Sequence, residues 1–166
     1  VIRAAKLGLP LMVAIIGGYP AQFKSLFQLY KNTFTDSGHD LSKMRLGVHS
    51  HTFIGADSQT AADYLYPGYS AQMNAIGRDR GWAPYSRAQF DNGRSKQGAL
   101  LVGDSAYITD KILYQIELFG LTRFVAHMDI GAPSHKELMK SIELFGTKVA
   151  PAVRKAITNG QSSALA

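Results

Sequence analysis

Five histidines are spread along the 166 residues, and three of them fall in two short motifs. His49-Ser50-His51 sits inside GVHSHTFI, and His127-Met128-Asp129 closes RFVAHMD. Side chains alternate between the faces of a strand, so residues two apart share a face. His49 and His51 therefore point the same way, and so do His127 and Asp129. Imidazoles and a carboxylate gathered in this pattern can hold a metal ion. Imidazoles can equally line a substrate pocket, or sit satisfied in a core. A third feature is Gly17-Gly18, which ends the apolar run LPLMVAII. Bare backbone there allows either a tight turn or the close approach of a flat ring.

These residues need elements to carry them, and the run before Gly17 sets the type. A membrane-crossing helix needs about 20 apolar residues, and this run is far shorter, with Pro10 near its start. No small-residue cleavage site follows it, as a signal peptide would require. Neither GxGxxG nor GxxxxGK[ST] is present after it, so it does not lead into a phosphate loop of either kind. A strand buried on both faces is the remaining expectation, as in a parallel sheet covered by helices.

Composition agrees with a globular domain: 46% hydrophobic residues and 18% charged. There is no cysteine, which excludes disulfides, thiolate metal sites and cysteine nucleophiles and suits a cytoplasmic location. The net charge of +6 is spread along the chain. It reads as a solvated surface or a field favouring a small anionic ligand, rather than a nucleic-acid or membrane footprint.

Along the chain, RAAKLG reads as the end of a helix stopped by Gly8. A strand at about Leu9–Gly17 follows, and Pro20 can open a helix whose apolar face is Phe23, Leu26, Phe27, Tyr30 and Phe34. A second strand runs from Arg45 to Ile54. Ser58 is the expected N-cap of the next helix, which Pro67 kinks or ends. Residues 79–97 show no clean period, and Arg78-Asp79-Arg80-Gly81-Trp82 reads as a solvated face with one anchoring aromatic. GALLVG (98–103) is a short extended piece. A helix opening near Asp104-Ser105 turns Ile108, Ile112, Ile116 and Phe119 inward and stops at Gly120. Arg123–Met128 is the third main strand. Ser134-x-x-Glu137 is a capping box for a helix carrying Leu138, Ile142 and Phe145, with Pro151 bending or ending its continuation.

This alternation predicts an α/β fold of βαβ units with a parallel sheet and right-handed crossovers. Three main strands cannot close a barrel, and a complete (β/α)8 barrel takes about 250 residues. The chain reads as a partial TIM barrel, its C-terminal strands and helices, over residues 1–157, with 158–166 as a disordered tail. In such sheets chemistry gathers at the carboxyl ends of strands, where all three motifs fall. Unpaired edges in half a barrel invite association, so the chain is expected to form a homo-oligomer, pair with a missing N-terminal half, or aggregate.

Two families are relevant to the motifs. His-x-His with a distant His-x-Asp resembles metal-dependent hydrolases of the amidohydrolase type, with His49, His51, His127 and Asp129 as ligands. Those enzymes place His-x-His on the first barrel strand, whereas here it falls on the penultimate one, and no metal is expected. A broader likeness is carried by RAAKLGLPLMVAIIGG, FKSLFQLYK, GVHSHTFIGAD, RDRGW, GALLVG and IELFGTKVAP in that order. Together they resemble the C-terminal half of luciferase-like flavin monooxygenases over residues 1–156. The resemblance implies FMN, or the deazaflavin F420, with reduced flavin and O2 oxygenating a small organic substrate, and a flavin reductase as a supplier. It implies Gly17 and Gly18 as cofactor contacts and His49, His51, Met128 and Asp129 as pocket residues. Part of the family's flavin site, including its phosphate-holding segment, lies upstream of the matched residues. Where that family often has Gly-Ser-Pro-Glu, this chain has Gly103-Asp104-Ser105-Ala106, which weakens any cofactor contact there. A non-catalytic flavin-binding half-barrel module is the remaining alternative.

Overall fold

The computed structural model describes residues 1–163, with side chains described through residue 159. Four parallel strands form its sheet: β1 (Leu11–Ala14), β2 (Leu46–Ile54), β3 (Leu101–Gly103) and β4 (Arg123–His127). The helices are α1 (Ile2–Lys6), α2 (Lys24–Asp36), α3 (Ser58–Arg78), α4 (Arg87–Gly93), α5 (Ser105–Phe119), α6 (His135–Leu144) and α7 (Ala150–Ser163). A π-helical turn, Phe145–Val149, joins α6 to α7. No helix among the described residues is long and apolar enough to cross a membrane.

Strand β2 is the centre of the sheet. Its residues Gly47, Val48 and His49 pair with Met12, Val13 and Ala14 of β1 and with Arg123, Phe124 and Val125 of β4. β1 and β4 therefore flank it on opposite edges. Further along, Thr52–Ile54 pair with β3. His49 O accepts from Ile15 N, and Gly55 N donates to Gly103 O. Alternate residues of a strand address the same edge, so β3 takes over from β1 on one side of β2. On the other side the Ser141 hydroxyl of α6 accepts from Ile54 N at 2.8 Å.

One face of the sheet is packed. Leu11, Val13, Ile15, Leu46 and Val48 are buried with Phe27, Tyr30 and Phe34 of α2 and Phe119 of α5. The Phe27 and Phe119 rings stack at 4.2 Å. The other face is open at β1 and β4, where Met12, Ile16 and Val125 are exposed. The expected burial of β1 on both faces is thus corrected. Its helices pack on one side only, and no segment among the described residues crosses the opposite side there. β1 is also shorter than expected, because the ladder with β2 ends where Gly17 and Gly18 turn away.

Four other local expectations change. Asp57, not Ser58, caps α3, accepting from Gln59 N and Thr60 N; Ser58 is inside the helix, where its hydroxyl donates to Asp104 Oδ2 at 2.6 Å. α3 continues past Pro67 instead of ending there, and the residue's exposed position leaves the freed carbonyl of Asp63 to solvent. The aperiodic stretch contains α4, closed at its start by a reciprocal capping box between Ser86 and Gln89. At the other end, α7 continues to Ser163, so the boundary drawn at 157 falls inside a helix; residues 164–166 lie outside the described residues.

The loop after β4 is fastened to α3. Gly131 N donates to the Gln72 side chain at 2.7 Å, and a Cβ on Gly68 would collide with the backbone oxygen of Gly131. Gly68→Ala therefore forces the loop off the helix and lowers stability by about 2 kcal/mol, read as a reduced midpoint in urea unfolding; an unchanged midpoint would contradict this packing.

Candidate functional site

A cavity of about 590 Å³ opens at the carboxyl ends of β1 and β2, inside the range of small-molecule pockets. β1 contributes its exit, Gly17-Gly18-Tyr19, to the wall. A side chain at Gly17 would meet no atom within 4 Å, so the bare backbone faces open space. Gly18 has φ +69°, a left-handed conformation that turns the chain sharply at the rim. The Tyr19 hydroxyl and the Asn92 amide of α4 hydrogen-bond at 2.9–3.1 Å across the wall. Trp82 lies at the mouth, its side chain packed near Gly77 of α3. Among the described residues lining the cavity there is no Asp, Glu, Lys or Arg.

His51 is the one imidazole in that wall, and it is 4% exposed. Its Nδ1 shares a hydrogen bond with the Tyr69 hydroxyl of α3 at 3.1 Å. Burial, followed by the neighbouring His127 and His49, pushes its pKa down to about 4. Burial raises the Tyr69 and Tyr85 hydroxyls above the usual phenolic range. The site is therefore neutral at pH 7: an uncharged imidazole held by an uncharged phenol.

Beside the cavity the three histidines form a cluster on one sheet face, as the in-register pairs His49–Val125 and His51–His127 require. Ring centroids lie 5.1 Å apart for His49–His127, 5.2 Å for His51–His127 and 6.5 Å for His49–His51. His49 is lowered by burial and by His127. His127 Nε2 contacts Asp129 Oδ1 at 2.8 Å, while its Nδ1 is buried with no partner among the described residues.

Of the residues singled out in the sequence, the structure brings Gly17, Gly18 and His51 to one cavity. His49 stands behind His51 in the cluster, outside the lining. Met128 packs with Ile108, Ile112 and Phe145 on the helix-covered side, and Asp129 is largely exposed on the His127 side. Among the described residues no three His, Cys, Asp or Glu side chains are placed to hold a metal ion, so His49, His51, His127 and Asp129 do not assemble as a hydrolase ligand set. Tyr69, Tyr85 and Asn92 were not anticipated; their only local signal was the aromatic content of α3 and of the segment after it.

The helix starts near the site are already satisfied. Asp104 Oδ1 accepts from Tyr107 N, and its Oδ2 from Ser58. Asp57 caps α3 in the same way. Carboxylates thus occupy both helix N-termini, where a phosphate would otherwise be favoured. A second cavity of about 300 Å³ lies between α5, α7 and the start of β4, away from the carboxyl ends of the strands and walled chiefly by apolar side chains such as Ile112, Phe145 and Val153.

No protein-family model matches the sequence, and a search of curated proteins found no match. Solved structures do match in fold. Monooxygenase RslO1 from Streptomyces bottropensis superposes with a TM-score of 0.70 at 18% identity, over 90% of this chain and 44% of its own. The oxygenating constituent of 3,6-diketocamphane monooxygenase from Pseudomonas putida, solved with FMN, gives 0.60 at 20% identity over 92% and 45%. An F420-dependent secondary alcohol dehydrogenase bound to an F420-acetone adduct gives 0.58 at 16% identity over 92% and 46%. The chain spans under half the length of each of these proteins. At these identities the matches show the fold, and the α/β partial-barrel architecture expected from the sequence agrees with them.

His51 gives the site a pH signature. An imidazole near its ordinary pKa of about 6.5 in the unfolded chain takes up a proton that the folded state, at about 4, refuses. Stability contributed by His51 is therefore full above the unfolded value and is lost as pH falls between those two values. Chemical unfolding at about pH 7 and pH 5 should show a smaller loss for His51→Gln than for the unaltered protein; equal losses would place the proton elsewhere.

Proposed function

We propose that this chain supplies the flavin-holding and substrate-facing part of a luciferase-like oxidoreductase that uses reduced flavin and O2 to oxygenate a small organic molecule. One observation carries the reading: the bare Gly17-Gly18 edge opens onto an aromatic cavity with no charged lining, at the carboxyl ends of parallel strands. A flat isoalloxazine ring suits such an edge, because no Cβ keeps it off the backbone. FMN is the cofactor favoured, with F420 the alternative; one fold neighbour was solved with FMN and another with an F420 adduct.

The flavin supplies the redox chemistry with O2 when bound. The chain's own residues orient and shelter. Tyr19, Tyr69 and Tyr85 wall the cavity against water, and His51, oriented by Tyr69, offers an uncharged hydrogen-bonding nitrogen. His49 and Asp129, both beside His127, stay as proposed outer pocket residues, whereas Met128, packed on the helix-covered side, acts in this reading only by holding the end of β4 in place. Asp57 and Asp104 put carboxylates at the starts of α3 and α5, which disfavours the flavin phosphate there, so in this reading the phosphate is held elsewhere. A second half, or another copy of the chain, covering the open face with Met12, Ile16 and Val125 completes the barrel in this reading.

That open face also favours a second reading, a flavin-binding half barrel that does no chemistry until paired. The rate at which O2 oxidises reduced FMN separates the two: a rate changed by the chain alone from that of free reduced FMN, which O2 oxidises unaided, supports the enzyme, and an unchanged rate despite binding supports the module. The primary test is a fluorescence titration of oxidised FMN. Saturable quenching near one flavin per chain or per dimer is expected, and Gly17→Leu should weaken it by about tenfold or more by filling the space above the backbone. Absence of quenching, or equal quenching by the variant, would reject the Gly17-Gly18 edge as the flavin's seat.

A further inference from the structure

On the apolar face of α5, between Ile108 and Ile112, lies a lysine that is 2% exposed. Lys111 Nζ donates to three backbone carbonyls: Ser95 O and Leu100 O at 2.6 Å, and Arg94 O at 3.2 Å. An ammonium has three N–H donors and no acceptor, so the set matches it donor for acceptor. The Tyr107 ring lies 5.6 Å from Nζ, and its hydroxyl donates to Arg94 O at 2.8 Å. Burial, reinforced by the Arg94 charge, pushes the amine down to about 7, while three convergent carbonyl dipoles favour the protonated form.

The segment so gripped reaches the cavity. Arg94 and Ser95 directly follow α4, whose Asn92 and Gly93 line the cavity, and Leu100 lines it as well. Between them, Gly98 N donates to Ser95 O, Ala99 N to Gly18 O and Leu100 N to Gly93 O. The turn that Lys111 holds is therefore hydrogen-bonded to the backbone of the cavity rim itself.

We propose that the carbonyls of Arg94, Ser95 and Leu100 form a built site for a primary ammonium group, filled by Lys111, and that Lys111 is thereby a positioning residue for the Gly18 rim of the cavity. The site stands on the polypeptide alone, whatever the cavity binds. Lys111→Ala keeps Cβ and removes the rest of the side chain, leaving a slot shaped for n-propylammonium.

Amide hydrogen exchange tests this. In Lys111→Ala the amides of Gly98, Ala99 and Leu100 should exchange about tenfold faster or more, with the Val48 amide of β2 unchanged. Added n-propylammonium should restore their protection, and n-propanol, which has the chain without the charge, should not. Lys111→Met, which fills the slot without a charge, should exchange as fast as the alanine variant and should not be rescued by the amine. Unchanged exchange in either variant, or equal rescue by the alcohol, would overturn the proposal. Should the alanine variant not fold, recovery of folding with the amine alone supports it, and recovery with both additives or neither overturns it.

Discussion

Backbone hydrogen bonds along both edges of β2 govern the rest of the molecule. Each edge changes partner partway along, from β1 to β3 on one side and from β4 to a side chain of α6 on the other. A strand nine residues long can serve four elements in this way, because backbone groups must be paired once buried and each partner satisfies only part of its length. His49 and His51 lie just where the exchange occurs. Their shared face, their distance from His127 and the depth of His51 all follow from that pairing.

The cavity's character follows from what packs over the carboxyl end of β2. α3 covers His51 with Tyr69, and the loop after β4 is held down on α3 through Gly68 and Gln72. Water is thereby removed from an imidazole that has two other imidazoles beside it, and neutrality is the cheapest state for it. Charges that do occur nearby are spent on structure: Asp57 and Asp104 on helix starts, and Arg87, Asp91 and Arg94 on the fastening of α4.

Periodic elements were legible in the sequence. The Phe27-Tyr30-Phe34 face of α2, the extent of β2 and the Gly120 stop of α5 follow from spacing and one left-handed glycine. α4 was not, because seven residues give too short a window for a period, although Ser86-x-x-Gln89 marks its start. The half-open state of β1 was hidden for a different reason. LPLMVAII has the composition of a strand covered on both sides, and composition does not say which segment provides the cover. That Gly17, Gly18 and His51 come together at the carboxyl ends of the strands was readable, because strand ends locate them. Tyr69 and Asn92 were not, since their roles depend on how α3 and α4 cross the sheet. Lys111 was masked by its apolar neighbours, a polar group at a core-facing helical position.

Trp82 is the single tryptophan of the chain, and it stands half-exposed at the cavity mouth with the Arg80 guanidinium 5.1 Å from its ring. Indole emission responds to solvent and to nearby electron acceptors. The protein therefore carries its own optical gauge: excited beyond the absorption of its eight tyrosines, it emits from one residue at one place, and a change in that signal on adding a ligand reports on the cavity entrance without any label.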